Sequence, residues 1–256
     1  MSLPPAVPAS LGAEYRVRFD EAGADGALRD SGYLRWAQDM AWRHSASAGL
    51  DREWYAERGM TWLIRAVELT IDGRVEYGAS LHVTTEIAGF RRVLARRRTT
   101  FSAPDGSAPA TALTDWVLIN ERGLPTRIPA QIGERFAADV GQFEPLKVAL
   151  PPTPGDASWR ELAVRASEVD PLGHVNNAAY IDYLVEHLGG DAVTALPRRY
   201  RGEFLLPAER GMELSAAAWP DVAGTVWSYR LADGGGRELF RARLEIGSAG
   251  GISQAG

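Results

Sequence analysis

The sequence predicts an α+β fold of two tandem domains, each with a long central helix wrapped by an antiparallel β-sheet. Three observations support this prediction. A segment that precedes an amphipathic helix occurs twice, several predicted strands follow each helix, and a proline-rich stretch separates the two copies. The length of 256 residues also suits two domains of about 100–130 residues each.

The repeat is found by aligning Gly26 with Gly173. This alignment brings together Leu28 with Val175, Tyr33 with Tyr180, Trp36 with Tyr183, and Asp39 with Glu186. After each segment, apolar side chains fall on one face of a helix, so we predict central helices over about 31–48 and 176–189.

Strand patterns follow each predicted helix. The first strands are expected over 63–71 and 200–206, each ending near a glycine. Each half then closes with a hairpin, the first formed by 96–101 and 112–119, the second by 226–231 and 239–246. A helix packed on a curved antiparallel sheet is an α+β layer, and we expect the two sheets to be continuous.

Composition sets the expected domain boundaries. Residues 1–12 and 247–256 are rich in small residues and are predicted to be flexible tails. Residues 151–158 contain three prolines and are predicted to be an extended linker. The N-terminal domain then spans 13–150 and the C-terminal domain spans 159–246.

Composition also excludes several classes of protein. The absence of cysteine excludes disulfides and cysteine nucleophiles, and the histidine spacing gives no reason to expect a metal or a cofactor. A net charge of −5 argues against a general nucleic-acid binder. No apolar run approaches the roughly 18–20 residues of a membrane span, and no secretory leader is visible, so we expect a cytoplasmic protein.

The segment with the clearest chemistry runs from Glu168 to Tyr180. It predicts a turn at 170–173 and then a helix start, where free N–H groups and the helix dipole favour negative charge. The expected donors to an oxyanion are the N–H groups of Gly173, His174 and Val175. Asp170, on the same turn, could attack a carbonyl or activate water. The alternative is that Asp170 and Asn176 serve only as turn and helix-capping residues.

The pattern Asp170-x-x-Gly-His-Val-Asn-Asn-x-x-Tyr180 resembles the signature of hot-dog thioesterases of the 4-hydroxybenzoyl-CoA thioesterase type. The double-length chain resembles the acyl-acyl-carrier-protein thioesterases from about Glu14 to Ile246. This resemblance implies two hot-dog domains, of which the first shapes the acyl pocket and the second carries catalysis.

The resemblance also implies roles for individual residues. It assigns catalysis to Asp170, His174 and Glu203, with Asn176 and Asn177 in support. One position departs from the family pattern: the family usually has asparagine two residues before the histidine, whereas this chain has Leu172. The N-terminal copy lacks the catalytic side chains, since it has Gly23 in place of the aspartate and Ala27 in place of the histidine.

The expected activity is hydrolysis of fatty acyl thioesters, first of acyl-acyl carrier protein and alternatively of acyl-CoA. A hot-dog dehydratase or hydratase is a second alternative, although neither His-Phe-Pro-Gly nor Asp-x-Asn-Pro-x-His occurs in the sequence. A third is a non-catalytic acyl-binding protein, which Leu172 favours. Because the fused pair satisfies the tendency of hot dogs to associate, we expect a monomer or a homodimer.

Two further groups of residues have competing interpretations. Arg92, Arg96 and Arg98 belong to a basic run that could dock an acidic acyl carrier protein, or could be solvated side chains of a strand in an arginine-rich chain. Aromatic and methionine side chains at helical spacing could line an acyl tunnel or form plain core; they are Trp36, Met40, Trp42 and Trp62.

Overall fold

The computed structural model describes residues 8–136 and 143–247. The first half contains β1 (Ser10–Arg16), α1 (Asp30–Ser47), α2 (Arg52–Ala56), β2 (Met60–Ile71), β3 (Ser80–Arg91), β4 (Leu94–Ser102), β5 (Ala110–Asn120) and α3 (Ala130–Arg135). The second half contains β6 (Ser158–Ala163), α4 (Asn177–Leu188), β7 (Arg198–Phe204), β8 (Glu213–Pro220), β9 (Val226–Asp233) and β10 (Glu238–Ile246). Short 3₁₀ helices precede the two long helices at Phe19–Glu21 and Ala166–Glu168, and a third follows α4 at Gly190–Val193.

The strands of the described residues form one sheet in the order β1-β3-β4-β5-β2-β7-β10-β9-β8-β6. Every neighbouring pair is antiparallel. Strands β2 and β7 pair at the centre, from Ala66 opposite Glu203 to Ile71 opposite Arg198, and so join the two halves. The prediction of a continuous antiparallel sheet is confirmed.

Helix α1 packs on strands β1, β3 and β5 and against α4. Helix α4 contacts strands β7 and β10 through Tyr180, whose ring centroid lies 5.3 Å from that of Phe204 and 5.2 Å from that of Phe240. The face predicted for α1 is buried, with Met40 fully so, and the corresponding residues of α4 include the fully buried Ile181 and Leu184. Full burial of such a side chain contributes about 1.5–3 kcal/mol. Helix α4 ends at Leu188 and is followed by the C-cap residue Gly189, whose φ of +61° is readily adopted only by a residue without a Cβ.

The strands expected over 63–71 and 200–206 are β2, over 60–71, and β7, over 198–204. Two expected domain boundaries also differ from the structure. Strand β1 begins at Ser10, inside the expected tail, because every residue of 10–16 pairs with a residue of 80–86 in β3. Strand β6 begins at Ser158, the last residue of the expected linker. The remainder of the predicted tails, at 1–7 and 248–256, lies outside the described residues. Within the described parts of the chain, no helix is both long enough and apolar enough to cross a membrane.

Candidate active site

The turn before α4 is held by its own backbone. The Asp170 N–H donates to the His174 carbonyl at 2.8 Å, and the Asp170 carbonyl accepts from the Gly173 N–H at 2.9 Å. Gly173 has φ +84°, a left-handed conformation that favours glycine. The Asp170 Oδ1 accepts from the Leu172 N–H at 2.8 Å. The turn therefore fixes one carboxylate oxygen and orients the other.

A cavity of about 1390 Å³ connects this turn to both halves of the molecule. Its walls include all three residues assigned to catalysis, Asp170, His174 and Glu203. Ordinary small-molecule pockets have volumes of about 300–1,000 Å³, so this cavity has room for a long ligand. The structure thus brings the three side chains to one cavity, as a shared catalytic role requires.

Most of the backbone donors expected before α4 are already engaged. Gly173 donates within the turn, and Val175 donates to the Ala208 carbonyl at 2.8 Å. The prediction that these two amides bind an oxyanion is therefore wrong for this structure. The physical reason is that residues 174–175 bridge to the loop after β7, and α4 begins only at Asn177. Of the three expected amides, that of His174 remains a prediction.

Asn176 is the N-cap of α4. Its Oδ1 accepts from the Ala178 N–H at 3.0 Å, and its Nδ2 donates to the Gln38 Oε1 at 2.9 Å. The capping interpretation is therefore confirmed for this residue. Asn177 is the first residue of the helix and lines the cavity.

Glu203 is anchored by residues from elsewhere in the chain. Its Oε1 accepts from the Arg65 guanidinium at 3.0 Å, and its Oε2 accepts from the Val148 N–H at 3.2 Å. The Glu203 side chain is only 12% exposed. The Glu203 carboxylate is therefore held in a fixed, ion-paired position at the cavity wall.

Tyr180 lies on α4 and lines the same cavity. Its hydroxyl oxygen accepts from the Ala208 N–H at 3.0 Å. Burial, together with the negative charge of Asp170, raises the pKa of Tyr180 to about 12. The phenol is therefore neutral at physiological pH.

The arginine run divides into buried and exposed members. Arg96 forms two bonds with the buried Asp115, at 2.7 and 2.8 Å, and is 14% exposed. Its predicted docking role is therefore wrong, because its guanidinium already neutralises a buried carboxylate. Arg92 and Arg98 are exposed, and Arg98 forms an ion pair with Glu86 at 3.2 Å.

The aromatic residues also separate into two groups. Trp42 and Trp62 line the cavity, while Trp36 and Met40 are buried and are not among its lining residues. Trp36 instead donates its indole N–H to Glu21 at 2.9 Å. The core interpretation is therefore confirmed for Trp36 and Met40, and the acyl-tunnel role of Trp42 and Trp62 stays a prediction.

Sequence reasoning missed the position of Gln38, which lines the cavity from the first half. No motif marks this residue, because it acquires its position through its contact with Asn176 of the second half. Arg65 lines the cavity as well. Among the described residues, no cluster of three or more His, Cys, Asp or Glu side chains could hold a metal ion.

Two models of known protein domains match the sequence. Residues 9–138 match the acyl-ACP thioesterase N-terminal domain, and residues 153–200 match the acyl-ACP thioesterase C-terminal domain. The chain belongs to the acyl-ACP thioesterase family. The second match contains Asp170 and His174 and ends before Glu203.

Curated relatives are distant. The chain is 24% identical over 255 residues to the acyl-[acyl-carrier-protein] hydrolase FATB2 of Cuphea viscosissima, a match that covers 90% of this chain and 61% of the relative. It is 21% identical over 253 residues to the dodecanoyl-[acyl-carrier-protein] hydrolase of Cinnamomum camphora, with 90% and 66% covered. The chain thus spans about three-fifths to two-thirds of the length of these relatives.

Solved structures share the fold. An acyl-ACP thioesterase from Bacteroides thetaiotaomicron has a TM-score of 0.80 at 17% identity, covering 93% of this chain and 97% of its own. The 12:0-ACP thioesterase from Umbellularia californica has a TM-score of 0.78 at 19% identity, with 93% and 96% covered. The expected hot-dog fold is confirmed.

Proposed function

We propose that this protein is a thioester hydrolase that releases a fatty acid from acyl-acyl carrier protein. The observation that carries the proposal is the position of Asp170, whose carboxylate is held on a rigid turn at the wall of the large shared cavity. Family membership supports the same reaction, because the relatives named above are acyl-carrier-protein hydrolases.

Asp170 begins the reaction in one of two ways. As a general base it takes a proton from water, whose oxygen then bonds to the thioester carbonyl carbon. As a nucleophile it bonds to that carbon itself and gives an anhydride, which water then hydrolyses. In both cases the C–S bond breaks. In the first case the sulfur leaves as the thiol with the proton that Asp170 took from water, and in the second it leaves as the thiolate, which gains a proton released by the water that hydrolyses the anhydride. His174 lines the same cavity and is positioned to polarise or orient the reacting groups.

The cavity suits an apolar acyl chain attached to a charged carrier. Its wall includes the indole rings of Trp42, Trp62 and Trp116, and aromatic surface of this kind favours burial of a hydrocarbon chain. Basic side chains also line the cavity, namely Arg35, Arg43, Arg52, Arg65 and Lys147. Cations suit the phosphate of the phosphopantetheine arm, which both carrier protein and coenzyme A possess.

The decisive experiment measures thiol release from panels of acyl-acyl carrier proteins and acyl-CoAs that differ in chain length. We expect free acid and free thiol, with the higher kcat/KM for carrier-protein substrates. A higher kcat/KM for acyl-CoA would replace the proposed substrate class. A hydrated or dehydrated acyl chain would indicate a lyase, and unchanged substrate would indicate an acyl-binding protein.

We further propose that the exposed arginines Arg92 and Arg98 help to dock the acidic carrier protein. The double variant Arg92→Glu/Arg98→Glu should raise KM for acyl-acyl carrier protein and leave acyl-CoA hydrolysis unchanged. Added salt should reduce the difference, because it screens exposed charges. Arg237→Glu, at the exposed tip of the β9–β10 hairpin, is the control. Equal losses on both substrates would contradict docking.

The cytoplasmic location and the monomeric or homodimeric state expected from the sequence stay predictions. Light scattering of the purified protein tests the second, and a stable tetramer or larger assembly would contradict it.

A further inference from the structure

The Gln38 side chain links α1 to the start of α4. Its Oε1 accepts from the Asn176 Nδ2 at 2.9 Å. The orientation of the Asn176 amide is fixed, because its Oδ1 accepts from the Ala178 backbone N–H, which can only donate. Asn176 therefore presents its Nδ2 donor to Gln38, and Gln38 must accept this hydrogen bond with its side-chain oxygen.

This arrangement determines where the Gln38 nitrogen lies. Because the oxygen is committed to Asn176, Nε2 takes the other side of the amide. The nitrogen is buried, and it has no hydrogen-bond partner among the described residues. A buried donor without a partner destabilises the folded state, so the fold retains this amide at an energetic penalty.

The position of Gln38 suggests what the unsatisfied donor binds. Gln38 lines the large cavity together with Asp170 and His174. Two of the backbone amides nearest Asp170, those of Gly173 and Val175, already donate within the protein. Leu172, which also lines the cavity, carries no side-chain donor. Of the three amides expected to bind a negative charge beside Asp170, only that of His174 is left, so a side-chain donor from another part of the molecule would add to it.

We propose, on the basis of the hydrolase function argued above, that Gln38 Nε2 donates a hydrogen bond to the thioester carbonyl oxygen. When the carbonyl carbon gains its new C–O bond, one electron pair of the C=O bond moves onto this oxygen. The amide stabilises that charge until the C=O bond re-forms and the C–S bond breaks. The catalytically degenerate half thus supplies a catalytic residue to the other half.

The variants Gln38→Met and Gln38→Glu separate this role from a structural one. Gln38→Met has a similar length and no polar atoms. Gln38→Glu keeps an acceptor for Asn176 and removes the donor. Loss of one preorganised oxyanion donor lowers kcat by about 100- to 1000-fold, and KM stays nearly constant when the lost bond forms mainly in the transition state. We expect this pattern in both variants, with thermal unfolding close to wild type.

The control is Gln131→Met, at an exposed glutamine of α3, which should leave kcat unchanged. Wild type and Asp170→Asn are measured in the same thiol-release assay. If wild type turns over, Asp170→Asn is impaired and Gln38→Met keeps its rate within a few-fold, this inference is overturned and the proposed function stands. Activity lost in Gln38→Met but retained in Gln38→Glu would assign Gln38 a purely structural contact with Asn176. If wild type releases no thiol, both proposals fail.

Discussion

The two turns that precede the central helices have the same backbone and different side chains. In the second half, Asp170 donates its N–H to the His174 carbonyl at 2.8 Å. In the first half, Gly23 donates in the same way to the Ala27 carbonyl, also at 2.8 Å. The turn therefore forms without a carboxylate at the position of Asp170 and without an imidazole at the position of His174. Asp170 and His174 are thus not required to form this turn, which agrees with the proposal that they serve in catalysis.

The two helix starts differ in what their polar side chains contact. In α4, Asn176 caps the helix and contacts Gln38 beside the cavity. In α1, the buried Asp30 accepts two bonds from Arg198, at 2.9 and 2.6 Å, and one from the Tyr200 hydroxyl. The helix start of the first half thus forms a structural ion pair with the second half, whereas the helix start of the second half lies beside a cavity.

The largest effect on activity is expected at Asp170. Asp170→Asn keeps the Oδ1 acceptor for Leu172 and removes the charge, so kcat should fall by about 10²–10⁴-fold, the usual contribution of a positioned base. Thermal unfolding should stay near wild type, because Gly23 forms the same turn with no side chain. The measurement is steady-state thiol release together with circular-dichroism melting.

Asp25→Asn is the matched control, since Asp25 lies in the equivalent turn of the first half and is exposed. It should change neither turnover nor melting by a large amount. Normal turnover in a folded Asp170→Asn variant would mean that the active site lies elsewhere.

The largest effect on stability is expected at Asp30. Removing one partner of a buried ion pair costs about 3–5 kcal/mol, and the side chains of Asp30 and Arg198 are only 6% and 11% exposed. Asp30→Asn should therefore lower the free energy of unfolding in urea by about that amount, while kcat per folded molecule stays near wild type. A loss below about 1 kcal/mol would show that this ion pair does not hold the halves together.

Two carboxylates on the central strands give a second comparison. Glu68 on β2 accepts from Arg199 and Arg201 of β7, at 2.7 and 2.8 Å. Glu203 on β7 accepts from Arg65 of β2. Each glutamate is thus paired across the junction of the two halves, but only Glu203 lines the cavity.

Glu68→Gln and Glu203→Gln should each lower the free energy of unfolding by about 1.5–3 kcal/mol, the range for hydrogen bonds to charged groups. Only Glu203→Gln should also lower kcat. The test is to measure urea unfolding and thiol release for both variants. Equal kcat in the two would make Glu203 a structural residue and remove it from the catalytic set.

Sequence patterns predicted the parts of the fold that depend on local periodicity. The two central helices were placed within one residue at each end, because their apolar faces are set by spacing along the chain. The start of β1 was missed because Ser10 and Gly12 are poor strand formers. Their conformation comes from pairing with β3, a contact between segments about 70 residues apart.

The candidate site shows the same division. Asp170 could be predicted because a turn followed by a helix start is visible in sequence, and the family pattern falls on it. Gln38 could not, because its role depends on a bond to Asn176 in the other half. The docking role predicted for Arg96 failed for a similar reason, since its partner Asp115 lies on the neighbouring strand.

The smallest expected effects come from the glycines that shape the two turns. Gly26 and Gly173 have φ of +82° and +84°. A Cβ would meet nothing within 4 Å at Gly173 and only Glu76 Oε2 at 3.6 Å at Gly26, so the cost of alanine comes from the backbone alone. A left-handed conformation costs a residue with a Cβ roughly 1–2 kcal/mol, and both alanine variants should lose about this much stability. Only Gly173→Ala should also lower kcat, because a shift of that turn moves the Asp170 carboxylate relative to the substrate. Equal stability loss with unchanged kcat in both variants would show that the position of Asp170 tolerates a change in the turn, and would weaken its assignment as the reacting group.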